Sequence, residues 1–284
     1  MREVPPPSVV TRTASDGYPI AVAHWPARGD QKGRVVMLHG VQSHFGWYGR
    51  LGEYLASAGY EVHMPDRRGS GHNERDRGDT PSLNRLIADL TELLTDLRAQ
   101  TPQAPIVLGG ISWGGKLAIV TTGRRPDLVD AVALLCPGLT PRVGVSIRER
   151  LNIFFAYFFQ PLKTFVIPLA DPALFTADPD AQAYIAADPL SLRAGTARLM
   201  AASSILDIGV RRRVRQLAKP VLLMLAGHDR IVDNGKTLAL MARARKAALT
   251  TIEYPDAHHT LEFEPDPLEH HRALAAWLDK TLSS

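Results

Sequence analysis

The residues Gly110-Ile111-Ser112-Trp113-Gly114 place a serine between two glycines in the spacing Gly-x-Ser-x-Gly. The apolar run 104–109 comes before them, and 115–120, which suits the start of a helix, comes after. That context predicts a strand-to-helix turn that strains the serine backbone and points its hydroxyl out of a sheet. A serine hydroxyl attacks poorly near neutral pH unless a base takes its proton and a third group orients that base. His259, in Tyr254-Pro255-Asp256-Ala257-His258-His259-Thr260-Leu261, is the candidate base. The segment follows a predicted strand and so belongs to a loop at the sheet edge, where the neighbouring His258 competes for the role. His270-His271 fall in a predicted helix and are set aside, and neither pair alone makes a metal site. Asp229, just past another buried apolar run, is the candidate acid; Asp233 precedes a predicted helix and fits an N-cap better. The chain order Ser112, Asp229, His259 is the one that goes with a nucleophile on a strand-turn-helix.

Acyl transfer through such a serine also needs two backbone N–H groups aimed at the developing oxyanion. One is expected at Trp113, directly after the serine. The other is expected at Val41, in the loop His39-Gly40-Val41 after the apolar run Arg34–Leu38. Gly40 allows the tight loop, and His39 is expected to brace it rather than act as a base.

The elements that must position these groups alternate along the first half of the chain. Ser8–Thr13 and Ile20–Trp25 read as strands around the turn Ser15-Asp16-Gly17, and Arg34–Leu38 and Tyr60–Met64 as further strands. A helix between the last two carries Trp47, Leu51, Tyr54, Leu55 and Ala58 on one face. A second helix is predicted from Thr80-Pro81, with Leu83, Leu86, Ile87, Leu90, Leu93, Leu94 and Leu97 spaced by three and four. Strands before Ser112 and at 131–136 complete a pattern that implies a parallel sheet with right-handed crossovers. From about Pro137 to Arg213 the pattern becomes helical and aromatic, through Phe154-Phe155 and Tyr157-Phe158-Phe159, with helices at 181–187 and 192–206 and no strand. Alternation resumes with a strand at 220–225, a helix at 234–246, a strand at 250–254 and a last helix capped by Asp266-Pro267, burying Leu268, His271, Leu274, Ala275 and Leu278. The fold class is therefore α/β, a mostly parallel central sheet flanked by helices. Residues 1–137 and 214–284 form its core, and 138–213 form a helical cap.

A chain of 284 residues with 45% hydrophobic content can bury a full core. One cysteine, Cys136, excludes an internal disulfide, fits a reducing compartment and reads as a small buried hydrophobe. The net charge of +4 is mild, and the clusters Arg67-Arg68 and Arg211-Arg212-Arg213 with Arg215 lack interleaved aromatics, so they read as solvated faces or loop salt bridges and not as a nucleic-acid site. The segment Met1–Pro7 has no apolar core and reads as no signal peptide. Leu151–Ala170 is broken by Asn152, Gln160, Pro161, Lys163 and Pro168 and makes a poor membrane span. The expectation is a cytoplasmic protein, at most peripheral to a membrane, with transient surface contact through the cap. No cofactor is called for.

Beyond these motifs the chain resembles the α/β-hydrolases, and within them the monoacylglycerol lipase/lysophospholipase group with its serine-aminopeptidase-like members. The matching residues are His39-Gly40 with His44 and Tyr48, Asp66-Arg67-Arg68-Gly69-Ser70-Gly71, Gly110–Gly115, Gly227–Asp229 with Asp233, and Ala257–Thr260. The resemblance covers nearly all of the chain outside the insertion. It implies a nucleophile, acid and base at Ser112, Asp229 and His259, oxyanion donors at Val41 and Trp113, and a structural Asp66. Two positions depart from the group: Ile111 replaces the usual histidine before the nucleophile, and Trp113 replaces the usual methionine after it, a ring expected to narrow the acyl pocket. What the resemblance implies is a serine hydrolase for carboxylic esters with an apolar acyl group, of the monoacylglycerol or lysophospholipid kind. Amide cleavage and acyl transfer use the same groups, and a silent binding module could keep the fold. An epoxide hydrolase or dehalogenase needs a carboxylate where Ser112 stands. The aromatic row of the insertion either covers an apolar chain or packs the cap onto the core.

Overall fold

The computed structural model describes residues 6–283, so most of the segment Met1–Pro7 lies outside the described residues. Strands β1 (Ser8–Thr13), β2 (Pro19–Trp25), β3 (Gly33–Leu38), β4 (Tyr60–Pro65), β5 (Ile106–Ile111) and β6 (Ala131–Leu135) lie in one sheet with two later strands. Helices α1 (Gly49–Ser57), α2 (Leu83–Gln100) and α3 (Trp113–Arg124) connect them. After β6 the chain leaves the sheet through α4 (Ile147–Phe159), β7 (Thr164–Val166), α5 (Pro179–Ala187), β8 (Ala194–Thr196) and α6 (Ala197–Arg213). It returns through β9 (Val221–Ala226), α7 (Asn234–Met241), β10 (Leu249–Tyr254) and α8 (Leu268–Leu282).

The eight-stranded sheet has the order β1-β2-β4-β3-β5-β6-β9-β10. β1 and β2 pair antiparallel, β2 meets β4 antiparallel, and every other pairing is parallel. Strand β3 shows why both faces are covered. Its side chains alternate, sending Val35 and Met37 into the core under α1 and α8, and Val36 and Leu38 into the core under α2 and α3. The continuous apolar runs of β3, β5, β6 and β9 follow from that double burial.

Helix α2 keeps the predicted face, with all seven named apolar residues buried, but it starts later than Thr80-Pro81. Ser82 is the N-cap: its extended backbone lets Oγ accept from Arg85 N (3.1 Å), while Thr80 Oγ1 donates to the Ser82 carbonyl (3.3 Å). At the other end of the chain, Asp266 Oδ1 accepts from Leu268 N (3.1 Å), so α8 begins where expected. Leu268 itself faces solvent on the first turn, while His271, Leu274, Ala275 and Leu278 are buried. Helix α7 ends at Met241, shorter than expected.

The insertion differs from its all-helical expectation. β7 and β8 form a small antiparallel ladder, three residues each, too short to leave a period-two signature. Helix α6 begins at Ala197 and not at Leu192, because Thr196 caps it by accepting from Leu199 N (3.2 Å). The helix runs on through Arg211-Arg212-Arg213, where three cations meet the negative end of its dipole. It packs against α3, with Lys116 paired to Asp207 and Arg213 donating to the Gly123 carbonyl (2.9 Å). Helix α4 rests on α6 and buries only Ile153 and Ala156. Phe154, Phe155, Phe158 and Phe159 are left exposed. Among the described residues, no helix is long and apolar enough to cross a membrane.

Candidate active site

Ser112 stands between the end of β5 and the first turn of α3, with φ +51° and ψ −118°. A non-glycine residue at positive φ is strained, and the surrounding packing must hold it there. The flanking glycines make that packing close enough. A Cβ on Gly114 would lie 2.3 Å from the Leu38 carbonyl oxygen, and one on Gly110 would lie 2.5 Å from the Gly114 backbone.

The structure brings the three separated residues together. His259 Nε2 lies 2.9 Å from Ser112 Oγ, and His259 Nδ1 lies 2.7 Å from Asp229 Oδ2. Asp229 Oδ1 accepts from Ile231 N and Val232 N, both at 2.8 Å, which fixes the carboxylate. The loop after β9 and the loop after β10 are tied to each other by His228 N donating to the Ala257 carbonyl (2.9 Å). His259 and Asp229 are both buried, and Phe175 meets the imidazole edge-on. In the tautomer with Nδ1–H donating to Asp229, Nε2 is free to accept the serine proton.

The rivals are engaged elsewhere. His258 Nδ1 lies 3.2 Å from Glu264 Oε1. Asp233 caps α7 by accepting from Lys236 N (3.0 Å). His271 Nε2 lies 2.9 Å from Glu262, with His270 packed against it.

The loop after β3 passes against the nucleophile: a Cβ built on Gly40 would lie 3.5 Å from Ser112 Cβ. His39 braces this loop. Its Nε2 accepts from Arg67 N (2.9 Å), so the proton sits on Nδ1, which donates to the Gly40 carbonyl (2.7 Å). Burial pushes its pKa down to about 4, helped by the charge of Arg67, and the ring is neutral. With the Gly40 carbonyl held on the His39 side, the planar trans peptide turns Val41 N–H the opposite way. Asp66 is wholly buried and accepts from Phe45 N, His72 N and His72 Nδ1, each at 2.8 Å, which ties the two loops beside the site together.

Arg67 and Arg68 are both buried and so form no solvated face, but Arg68 makes a salt bridge, the other arrangement expected of the pair. Arg68 is neutralised by Asp89 (2.9 and 2.8 Å) and Asp16 (3.0 Å). Arg67 instead donates to the carbonyls of Val41 (2.9 Å) and Gly40 (3.4 Å) and lies over the Trp113 ring, 4.8 Å from its centroid. Burial lowers its pKa to about 10, which leaves it charged near neutral pH. The Trp113 indole points to α6, where Nε1–H donates to Ser203 Oγ (2.9 Å). The ring therefore does not narrow the cavity at Ser112, whose walls include Val41, Gln42, Ile111, Leu169 and Phe175. No sequence pattern marks Gln42, Leu169, Phe175 or Ser203. Leu169, Phe175 and Ser203 lie in the insertion, and no local spacing ties them to Ser112.

Residues 29–266 match the model of the serine aminopeptidase, S33, family. The chain belongs to that family. It is 26% identical over 255 residues to a monoacylglycerol lipase of Mycolicibacterium smegmatis, covering 88% of this chain and 89% of that one. Among solved structures it is similar to the monoacylglycerol lipase of Paleococcus ferrophilus, with a TM-score of 0.83 and 26% identity over 92% of this chain and 99% of the other. A soluble variant of the Saccharomyces cerevisiae monoglyceride lipase, solved with a substrate analogue, shares the fold at a TM-score of 0.83 and 21% identity, covering 98% of this chain and 97% of the other. The fold is that of the α/β-hydrolases, and the chain is a serine hydrolase.

Proposed function

We propose that this chain hydrolyses carboxylic esters with an apolar acyl group, of the monoacylglycerol or lysophospholipid kind, through an acyl-enzyme on Ser112. The observation that carries the reading is the unbroken row from Ser112 Oγ through His259 to Asp229, at 2.9 and 2.7 Å. Ser112 Oγ attacks the ester carbonyl as His259 Nε2 takes its proton. The tetrahedral oxyanion lies against Val41 N–H and Trp113 N–H. His259 then protonates the leaving alcohol, and Asp229 steadies the imidazolium. A water activated by His259 releases the acid and restores the serine.

Residues 138–213 serve in this reading as a cap over the core. Leu169 and Phe175 bring apolar surface from the cap to the cavity beside Ser112, which supports an apolar acyl group. The exposed phenylalanines of α4 support contact of the cap with the lipid surface from which such a substrate is drawn. The named activities of the similar lipases agree with this substrate class. A fluorophosphonate probe should label the wild type and not Ser112→Ala, and ester turnover should fall about a million-fold in that variant. A nitrophenyl ester series should show kcat/KM rising with acyl length. Activity confined to acetyl esters would defeat the lipid-like part, and a folded protein that takes no probe would defeat the whole reading.

A further inference from the structure

Gln42 follows Val41 in the loop after β3 and borders the cavity at Ser112. The residue is 1% exposed, and its amide Nε2 and Oε1 are both buried with no hydrogen-bond partner. Its backbone is fixed from the insertion, because Leu192 N donates to the Gln42 carbonyl (2.9 Å). The neighbouring Ser43 hydroxyl is already engaged, accepting from Gly40 N (2.9 Å) and Tyr48 Oη (3.0 Å). Val41, Ile111, Leu169 and Phe175 supply apolar wall.

A buried amide with neither atom paired is destabilising, and buried polar groups in folded proteins nearly always have partners. Here the unpaired donor and acceptor belong to a residue that lines the same cavity as the proposed nucleophile. We propose that the Gln42 amide is a polar subsite that binds free hydroxyls on the alcohol part of the ester. A hydroxyl donates as well as accepts, so adjacent hydroxyls can pair with Oε1 and Nε2 together. The apolar walls take the acyl chain, which leaves the alcohol part for the amide. A simple alkyl alcohol leaves both amide atoms bare. The site thereby selects esters of polyols over esters of plain alcohols. This inference rests on the ester-hydrolase reading above.

The test compares 2,3-dihydroxypropyl decanoate with propyl decanoate, which share an acyl chain and differ only in the hydroxyls. The wild type should favour the dihydroxypropyl ester in kcat/KM. Gln42→Met, close in size and without polar hydrogens, should reduce that preference about tenfold, chiefly through KM. The same variant should melt no lower than the wild type, since no internal hydrogen bond is lost. A preference unchanged by Gln42→Met, with both esters cleaved, overturns the subsite alone. A drop in Tm of more than about 4 °C overturns it too, because the amide then has a partner within the fold. Cleavage of neither ester by the wild type overturns the parent reading and the subsite with it.

Discussion

Arg67 holds a buried positive charge behind both proposed oxyanion donors, touching the carbonyl of one and the ring of the other. Its neighbour Arg68 spends its charge on carboxylates, whereas Arg67 faces carbonyl oxygens and an aromatic face. In a water-poor site such a charge favours a developing oxyanion, and its hydrogen bonds keep the Gly40–Val41 segment in one orientation. Arg67→Met is expected to lower kcat about ten- to a hundred-fold with little change in KM, and Arg67→Lys to recover part of it. Steady-state kinetics on one ester would check this, and an equal loss in KM alone would refute it. Nothing in the dipeptide Arg67-Arg68 distinguishes a solvated pair from a buried one. Burial is decided by Asp89 on α2 and by Trp113 on α3, both distant in sequence. Ser112, Asp229 and His259 were legible because each stands beside a strong local pattern: a glycine-bounded serine, and a carboxylate and an imidazole just past buried strands. Gln42 carries no such pattern, since an unpaired amide is a property of the assembled cavity.

At the scale of elements, the strands of the sheet and α2 were readable because burial on one or both faces writes a period into the sequence. The insertion was less so. β7 and β8 are too short to write a period, and the true start of α6 lies at a Thr cap after Gly195, inside what reads as continuous helix. Helix α4 breaks the usual rule in another way, since its phenylalanines form an exposed face, and Leu151 and Leu162 are exposed as well. Burying large apolar side chains is worth roughly 1.5–3 kcal/mol each, so this face should seek a lipid surface. Phe154→Asp with Phe158→Asp is expected to abolish flotation with lipid vesicles. It should also slow turnover of vesicle-borne ester at least about tenfold, while a short soluble ester is cleaved at the wild-type rate. Equal flotation of the two proteins would refute the role of α4.

The molecule as a whole carries several buried histidines whose charged form burial disfavours, among them His39, His44, His63 and His270. A lowered folded pKa means that the unfolded chain binds more protons as pH falls, so stability is complete above the ordinary histidine range and declines below it. For His39 the window runs from 6.5 down to about 4 and is worth about 3 kcal/mol at its end. Tm is therefore expected to fall steadily between pH 7 and pH 5, before the carboxylates titrate; a flat Tm over that interval would contradict it. Several contacts join this framework to the insertion. The hydrogen bond from Trp113 to Ser203 fastens the residue after the nucleophile to the longest helix of the insertion. Efforts to retune this scaffold for new esters by redesigning that helix would therefore disturb the reaction centre as well, so selectivity and speed would have to be optimised jointly.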